Sequence, residues 1–138
     1  MSRNVRLTRI IRETGEVAFE LGNLQFAEFH PTDGWRPDIN AYRYDDRIEL
    51  WVDLAGVKKD AIAVDVLPDR VRISGERRSP APTRDASSQC RQVIAMEIEN
   101  GRFAREIVLP LEVDRDGVSA KQENGLLWII LPTISPEK

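Results

Sequence analysis

Cysteine and histidine are nearly missing from this chain: Cys90 and His30 are the only ones among 138 residues. A lone thiol excludes an internal disulfide framework and fits a reducing compartment. A lone imidazole, set in the turn-rich stretch His30-Pro31-Thr32-Asp33-Gly34, leaves no Ser-His-Asp or Cys-His pairing to build around a sheet. There is no CxxC or HExxH metal spacing and no glycine-rich phosphate loop. Long apolar runs are missing as well, since none approaches the roughly 18 residues that span a bilayer. Arg3, Arg6, Arg9 and Arg12 precede no uninterrupted apolar core, so a secretory signal is not expected and the cytoplasm is the default. The basic excess that general nucleic-acid binding needs is absent too, the formal net charge being -3. Carboxylates are plentiful, but Asp45-Asp46, Asp114 and Asp116 sit in turn-like stretches and read as solvated acids. No catalysis, no cofactor and no metal are expected.

What is present is a period of two. In Arg47–Leu54, Ile48, Leu50, Val52 and Leu54 point one way, and Glu49, Trp51 and Asp53 the other. Ile62, Val64 and Val66 alternate with Ala63, Asp65 and Leu67. Pro68-Asp69 then reverses the chain into a strand marked by Val71 and Ile73. Ile39–Tyr44 is a further strand, led in by Pro37. Phe103, Arg105, Ile107 and Leu109 form one row and Ala104, Glu106 and Val108 the other, until Pro110 ends the strand by removing a backbone donor. Val118–Gln122 and Leu126–Leu131 flank Asn124-Gly125, a strong signal for a two-residue hairpin turn. Leu126–Leu131 is apolar on both faces and is expected to be covered on both. Asn100-Gly101 is a second turn signal, and Cys90–Ile98 is expected to hold short strands. Short strands separated by turn residues predict an all-β fold, an antiparallel β-sandwich.

Two segments depart from that rhythm. Residues 1–34 scatter Val5, Ile10, Ile11, Val17, Phe19, Leu21, Leu24, Phe26 and Phe29 among charges. They read as a short, partly helical arm, either packed permanently on the domain or a mobile apolar segment that contacts partners. Glu76–Gln89 is polar and long for a compact sandwich, so it is expected to reach elsewhere. Arg105 stands in an apolar row, which requires a partner or an interface because an unpaired buried charge is too costly. Trp35, Trp51 and Trp128 lie on separate strands and are expected to pack in the core or on a sheet face rather than to form a ligand platform.

Three stretches together resemble the small heat shock proteins, which share the α-crystallin domain. They are Trp35-Arg36-Pro37-Asp38-Ile39 with Glu49–Gly56; Phe103-x-Arg105-x-x-x-Leu109-Pro110; and Ala120-x-x-x-Asn124-Gly125-Leu126-Leu127. The resemblance covers residues 35–132, leaving 133–138 as a short C-terminal extension. It implies an immunoglobulin-like sandwich and an ATP-independent holdase that binds unfolding client proteins and keeps them from aggregating under stress. A co-chaperone-like module docking one specific folded partner is the alternative. A homodimer of the bacterial and plant type is also implied, with Gln89–Val93 as the exchanged strand and Ile39–Tyr42 as the acceptor edge. Ile39, Ala41, Tyr42, Cys90, Val93 and Arg105 are then interface residues. The family's docking groove falls on Ile62, Val64 and Val66 opposite Val118 and Ala120. Thr133–Lys138 holds no I-x-I motif to fill it, so a dimer or small oligomer is expected, the groove being left for clients or the chain's own arm. Phe19, Leu21, Leu24, Phe26 and Phe29 are the expected client contacts of the arm. No nucleic acid and no membrane are expected as partners.

Overall fold

Alternation between large apolar and polar residues builds nearly every element of the computed structural model, which describes residues 3–4, 7–11, 17–21, 34–78 and 90–134. The strands are β1 (Arg3–Asn4), β2 (Leu7–Ile11), β3 (Val17–Leu21), β4 (Ile39–Arg43), β5 (Arg47–Asp53), β6 (Ile62–Val66), β7 (Arg70–Arg77), β8 (Gly101–Val108), β9 (Ser119–Glu123) and β10 (Leu126–Pro132). They form two five-stranded antiparallel sheets, ordered β1-β9-β10-β5-β4 and β2-β3-β6-β7-β8. The expected antiparallel β-sandwich is therefore present.

The inward rows make the core. Ile48, Leu50 and Val52 of β5 and Leu127, Ile129 and Leu131 of β10 face Val64, Val71, Ile73 and Phe103 of the other sheet, all buried. Fully burying side chains of this kind stabilises a fold by about 1.5–3 kcal/mol each. Asn124 and Gly125 both take positive φ, 53° and 81°, as the tight β9–β10 turn requires. A 3-10 turn at Lys59–Ala61 leads into β6.

Of the arm, residues 3–4, 7–11, 17–21 and 34 are described, and the rest of the expected partly helical segment lies outside the described residues. Residues 3–4, 7–11 and 17–21 are strands, with no helix among them. Val17, Phe19 and Leu21 share one side of β3 and are buried in the core, so the relevant period is two rather than 3.6. β3 pairs along all of β6, with Val17 opposite Val66, Phe19 opposite Val64 and Leu21 opposite Ile62. β1 pairs with β9 in the other sheet, Arg3 opposite Gln122 and Asn4 opposite Lys121. The described strands of the arm thus join both sheets. An exposed ion pair ties Arg9 of β2 to Asp116.

Two further expectations change. Asn100-Gly101 does not turn one strand into another: Gly101, at φ 95°, opens β8 opposite Arg77. Residues 90–100 form no strand. The second change is at Glu49, which the alternation sets on the side opposite the Ile48 row but which is only 6% exposed. Its two oxygens accept from Arg47 Nε at 2.7 Å and Trp128 Nε1 at 3.1 Å, which satisfies the buried carboxylate. Those contacts also raise the Arg47 pKa, chiefly through Glu49 and then through Asp46.

Candidate interaction surfaces

The expected interface residues fall on two separate surfaces and one half-buried site. β4 is the last strand of its sheet, paired only with β5 among the described residues. Ile39 tucks partly against the core, while Ala41 and Tyr42 are exposed. Among the described residues the outer side of β4 carries no partner strand, and an open edge invites another strand. Asn40 Nδ2 donates to the Tyr42 hydroxyl at 3.2 Å on the same strand.

The second surface is the segment after the long loop. Cys90 is exposed and Val93 is 63% exposed. Ile94, Met96 and Ile98 follow at 92%, 71% and 74%. Sequence reasoning placed the exchanged strand at Gln89–Val93 and passed over this stripe. Apolar residues at i, i+2 and i+4 have the spacing of one face of a strand, although this segment forms none here and bends at Ile94 and Ile98. Gln89 itself lies outside the described residues. The base of the segment is held by Arg77, whose Nε donates to the Glu99 carbonyl at 2.9 Å and whose Nη1 donates to that of Ala55 at 3.1 Å.

Arg105 is half-buried. Its Nη1 donates to the Pro37 carbonyl at 3.2 Å, while its buried Nε has no acceptor among the described residues. Burial pushes the guanidinium pKa down, Arg36 adds to that effect and Asp38 opposes it. No ion pair to Glu106 forms, because the alternation of β8 sends Glu106 to the opposite face. There it meets Arg72 at 2.8 Å and Arg70 at 3.4 Å. Arg105→Gly should cost about 1–2 kcal/mol, from a lost hydrogen bond and a glycine inside a strand. Urea denaturation checks this; an unchanged midpoint would make the side chain a bystander.

The groove residues Ile62, Val64 and Val66 are buried beneath β3, and Val118 and Ala120 pack partly against the core from the other sheet. Of the arm residues expected to meet clients, Phe19 and Leu21 are the ones that β3 buries here. Leu24, Phe26 and Phe29 lie outside the described residues. The three tryptophans pack, as expected. Trp35 lies against Phe103 at 5.1 Å, and Trp51 stacks on Trp128 at 5.0 Å with Lys121 Nζ 3.7 Å from the Trp128 ring. Among the described residues no group of acids, histidines or thiols could hold a metal ion, and no helix is long and apolar enough to cross a membrane.

A sandwich whose β4 is paired on one side only among the described residues, with an exposed apolar segment beside it in sequence, fits a class of protein that interacts through added strands and apolar surface. Comparison with known proteins narrows that class. Residues 40–138 match the family model "Hsp20/alpha crystallin family", and the chain belongs to that family. It is 40% identical over 91 residues to the 22.0 kDa heat shock protein of Arabidopsis thaliana, a match covering 65% of this chain and 44% of that one. Among solved structures it is similar to heat shock protein 16.0 of Schizosaccharomyces pombe, with TM-score 0.63 and 30% identity over 75% of this chain and 94% of that one. It is also similar to a small heat-shock protein of Xylella fastidiosa, with TM-score 0.62 and 28% identity over 76% and 92% of the two chains. The chain spans about half the length of the curated relatives it matches, 44%, 43% and 50% in three of them.

Proposed function

We propose that the chain is an ATP-independent holdase that captures partly unfolded proteins and keeps them from aggregating. The observation that carries this reading is the apolar stripe Ile94, Met96 and Ile98, left exposed on a domain of the heat shock family. Contiguous exposed apolar surface on a soluble fold marks an interaction site. Unfolding chains offer the complementary surface, and burying apolar area needs no nucleotide. Substoichiometric protein, without ATP, should suppress the turbidity of a heated client enzyme; undiminished turbidity at equimolar protein would sink the reading.

The working unit in this reading is a homodimer in which the segment around Val93–Ile98 of one copy joins the β4 edge of the other. Pairing of that kind covers an edge strand and shelters the stripe, which meets clients when the pairing opens. It places the exchanged strand a few residues beyond Gln89–Val93, where the exposed alternation lies. Replacing Ile94 and Ile98 together by glutamate should shift the native mass from dimer to monomer at micromolar concentration, read by light scattering, with the melting of the single domain preserved. A dimer of unchanged mass would remove this segment from the interface.

A further inference from the structure

We propose that Asn100-Gly101 is a self-modifying site, where the chain deamidates Asn100 to aspartate or isoaspartate and so loosens the exposed segment that leads into β8. The reaction needs only this chain and water; its effect on assembly rests on the homodimer reading.

One tripeptide occurs twice, as Glu99-Asn100-Gly101 and as Glu123-Asn124-Gly125. In both, the glycine nitrogen is a nucleophile for the asparagine side chain, because a residue without a Cβ leaves that nitrogen unshielded and its backbone free to bend. The Gly101 nitrogen loses its proton to water or hydroxide and bonds to Asn100 Cγ. The bond from Cγ to Nδ2 breaks, and that nitrogen takes up a proton and leaves as ammonia. Water then opens the cyclic imide at one carbonyl or the other, giving aspartate or isoaspartate. Attack within one chain is fast only where the reacting atoms come into line. Local structure therefore decides which copy reacts.

The second copy is locked. Asn124 and Gly125 make the tight β9–β10 turn, with Glu123 and Leu126 paired across it. The Gly125 carbonyl accepts from Leu54 N at 3.0 Å, and a Cβ on Gly125 would stand 3.1 Å from that of Ala55. Rotating Asn124 toward the next nitrogen means opening the hairpin. The first copy is looser. Asn100 follows residues 90–99, which form no strand and are exposed. Its side chain is tied by one exposed hydrogen bond, Nδ2 donating to the Ile98 carbonyl at 2.9 Å, which water readily replaces. Nothing stands within 4 Å of where a Cβ on Gly101 would lie, so the imide has room to form. Segments with exposed backbone and few packed neighbours open locally at low cost.

Asn100 lies between two anchors. The Glu99 carbonyl accepts from Arg77 Nε at 2.9 Å, and the Gly101 carbonyl from Trp35 Nε1 at 3.1 Å. An isoaspartyl link adds a carbon to the backbone between them, so both bonds cannot keep their register. Either product also sets a carboxylate beside the exposed Glu97 and Glu99, and like charges so close repel. In the homodimer reading this segment joins the partner's β4 edge, and a displaced base weakens that pairing.

The test ages the full chain in warm, mildly alkaline buffer, folded and, in parallel, unfolded in urea. Peptides are mapped by mass spectrometry, with isoaspartyl methyltransferase as the probe of the altered linkage. Folded, Asn100 should convert at least about tenfold faster than Asn124, the difference being the cost of opening the turn. Unfolded, the identical tripeptides should convert at similar rates. Equal rates in the folded chain, or faster conversion at Asn124, would overturn the site. Light scattering then follows the native mass. Aged wild type should pass from dimer to monomer in step with the converted fraction. Asn100→Gln, which keeps the amide but lengthens the side chain past the favoured ring, should stay dimeric. Fully converted chains of unchanged mass would overturn the link to assembly. A fresh chain that is already monomeric would sink the homodimer reading, with the Asn100 site still decided by the peptide map.

Discussion

Replacing Phe19 by alanine should lower the unfolding free energy by about 3–5 kcal/mol, the cost of removing a large aromatic side chain from a core. Phe19 is 5% exposed and stands opposite Val64, with Val17 and Leu21 on the same side of β3. The ring fills space between two sheets whose remaining side chains sit on paired strands, so collapse into the gap is limited. A shifted urea midpoint at constant slope would report the loss cleanly. The matched control is Ile11→Ala in the neighbouring strand, where the side chain is 69% exposed and the change should stay within about 0.5 kcal/mol. If Phe19→Ala behaved like Ile11→Ala, β3 would not belong to the core, and of the two readings of the arm open from sequence the mobile, partner-contacting one would be favoured. The two readings also differ in function. A core Phe19 makes the variant unstable before it makes it a poor chaperone, whereas a purely client-facing Phe19 would do the reverse.

The domain was legible in the sequence wherever one face of a strand is apolar and the other polar. Arg47–Asp53 and Ile62–Val66 alternate without interruption, and Asn124-Gly125 can adopt the positive φ values that a tight turn demands. The arm was not legible because its alternation is only five residues long. Val17, Phe19 and Leu21 show the strand period, but Gly15 and Gly22 bound it closely, and a partner strand more than forty residues away is needed to explain it. Long-range pairing carries no local signature. Glu49 failed for a related reason. Its position in the alternation is outward, as expected, but the outward face there is roofed by Trp128, whose indole N–H makes a buried carboxylate tolerable. The conclusion that β10 is apolar on both faces was sound about composition. It did not reveal that Trp51 and Trp128 cover each other by stacking. Arg105 was recognised as anomalous, but its acceptor is the carbonyl of Pro37, and a backbone oxygen leaves no mark in a residue pattern.

The other large effect is expected at Trp35. Trp35→Ala should cost about 3–5 kcal/mol, the range for deleting a buried large aromatic. Three separate contacts converge on the ring. It packs on Phe103 at 5.1 Å and 49°, its Nε1 donates to the Gly101 carbonyl at 3.1 Å, and the Arg77 guanidinium lies 4.1 Å from its centre. The backbone joins as well, since Trp35 N donates to Arg102 O at 3.1 Å and Trp35 O accepts from Ala104 N at 3.3 Å. Gly34 permits that approach: its φ is 63°, and a Cβ there would sit 1.6 Å from the Arg102 carbonyl oxygen. The consequence reaches the proposed interface through Arg77, which otherwise holds the carbonyls of Glu99 and Ala55. Without the ring beneath it, Arg77 loses its stacking partner and the base of the Ile94–Ile98 stripe loses a fixed anchor. Trp35→Phe should restore most of the packing but not the bond to Gly101 O, recovering all but about 1–2 kcal/mol. Amide exchange at residues 98–101 should then rise in the alanine variant by more than the global loss of stability accounts for. Exchange there that tracks global unfolding alone would show that Trp35 stabilises the domain without positioning the exposed segment.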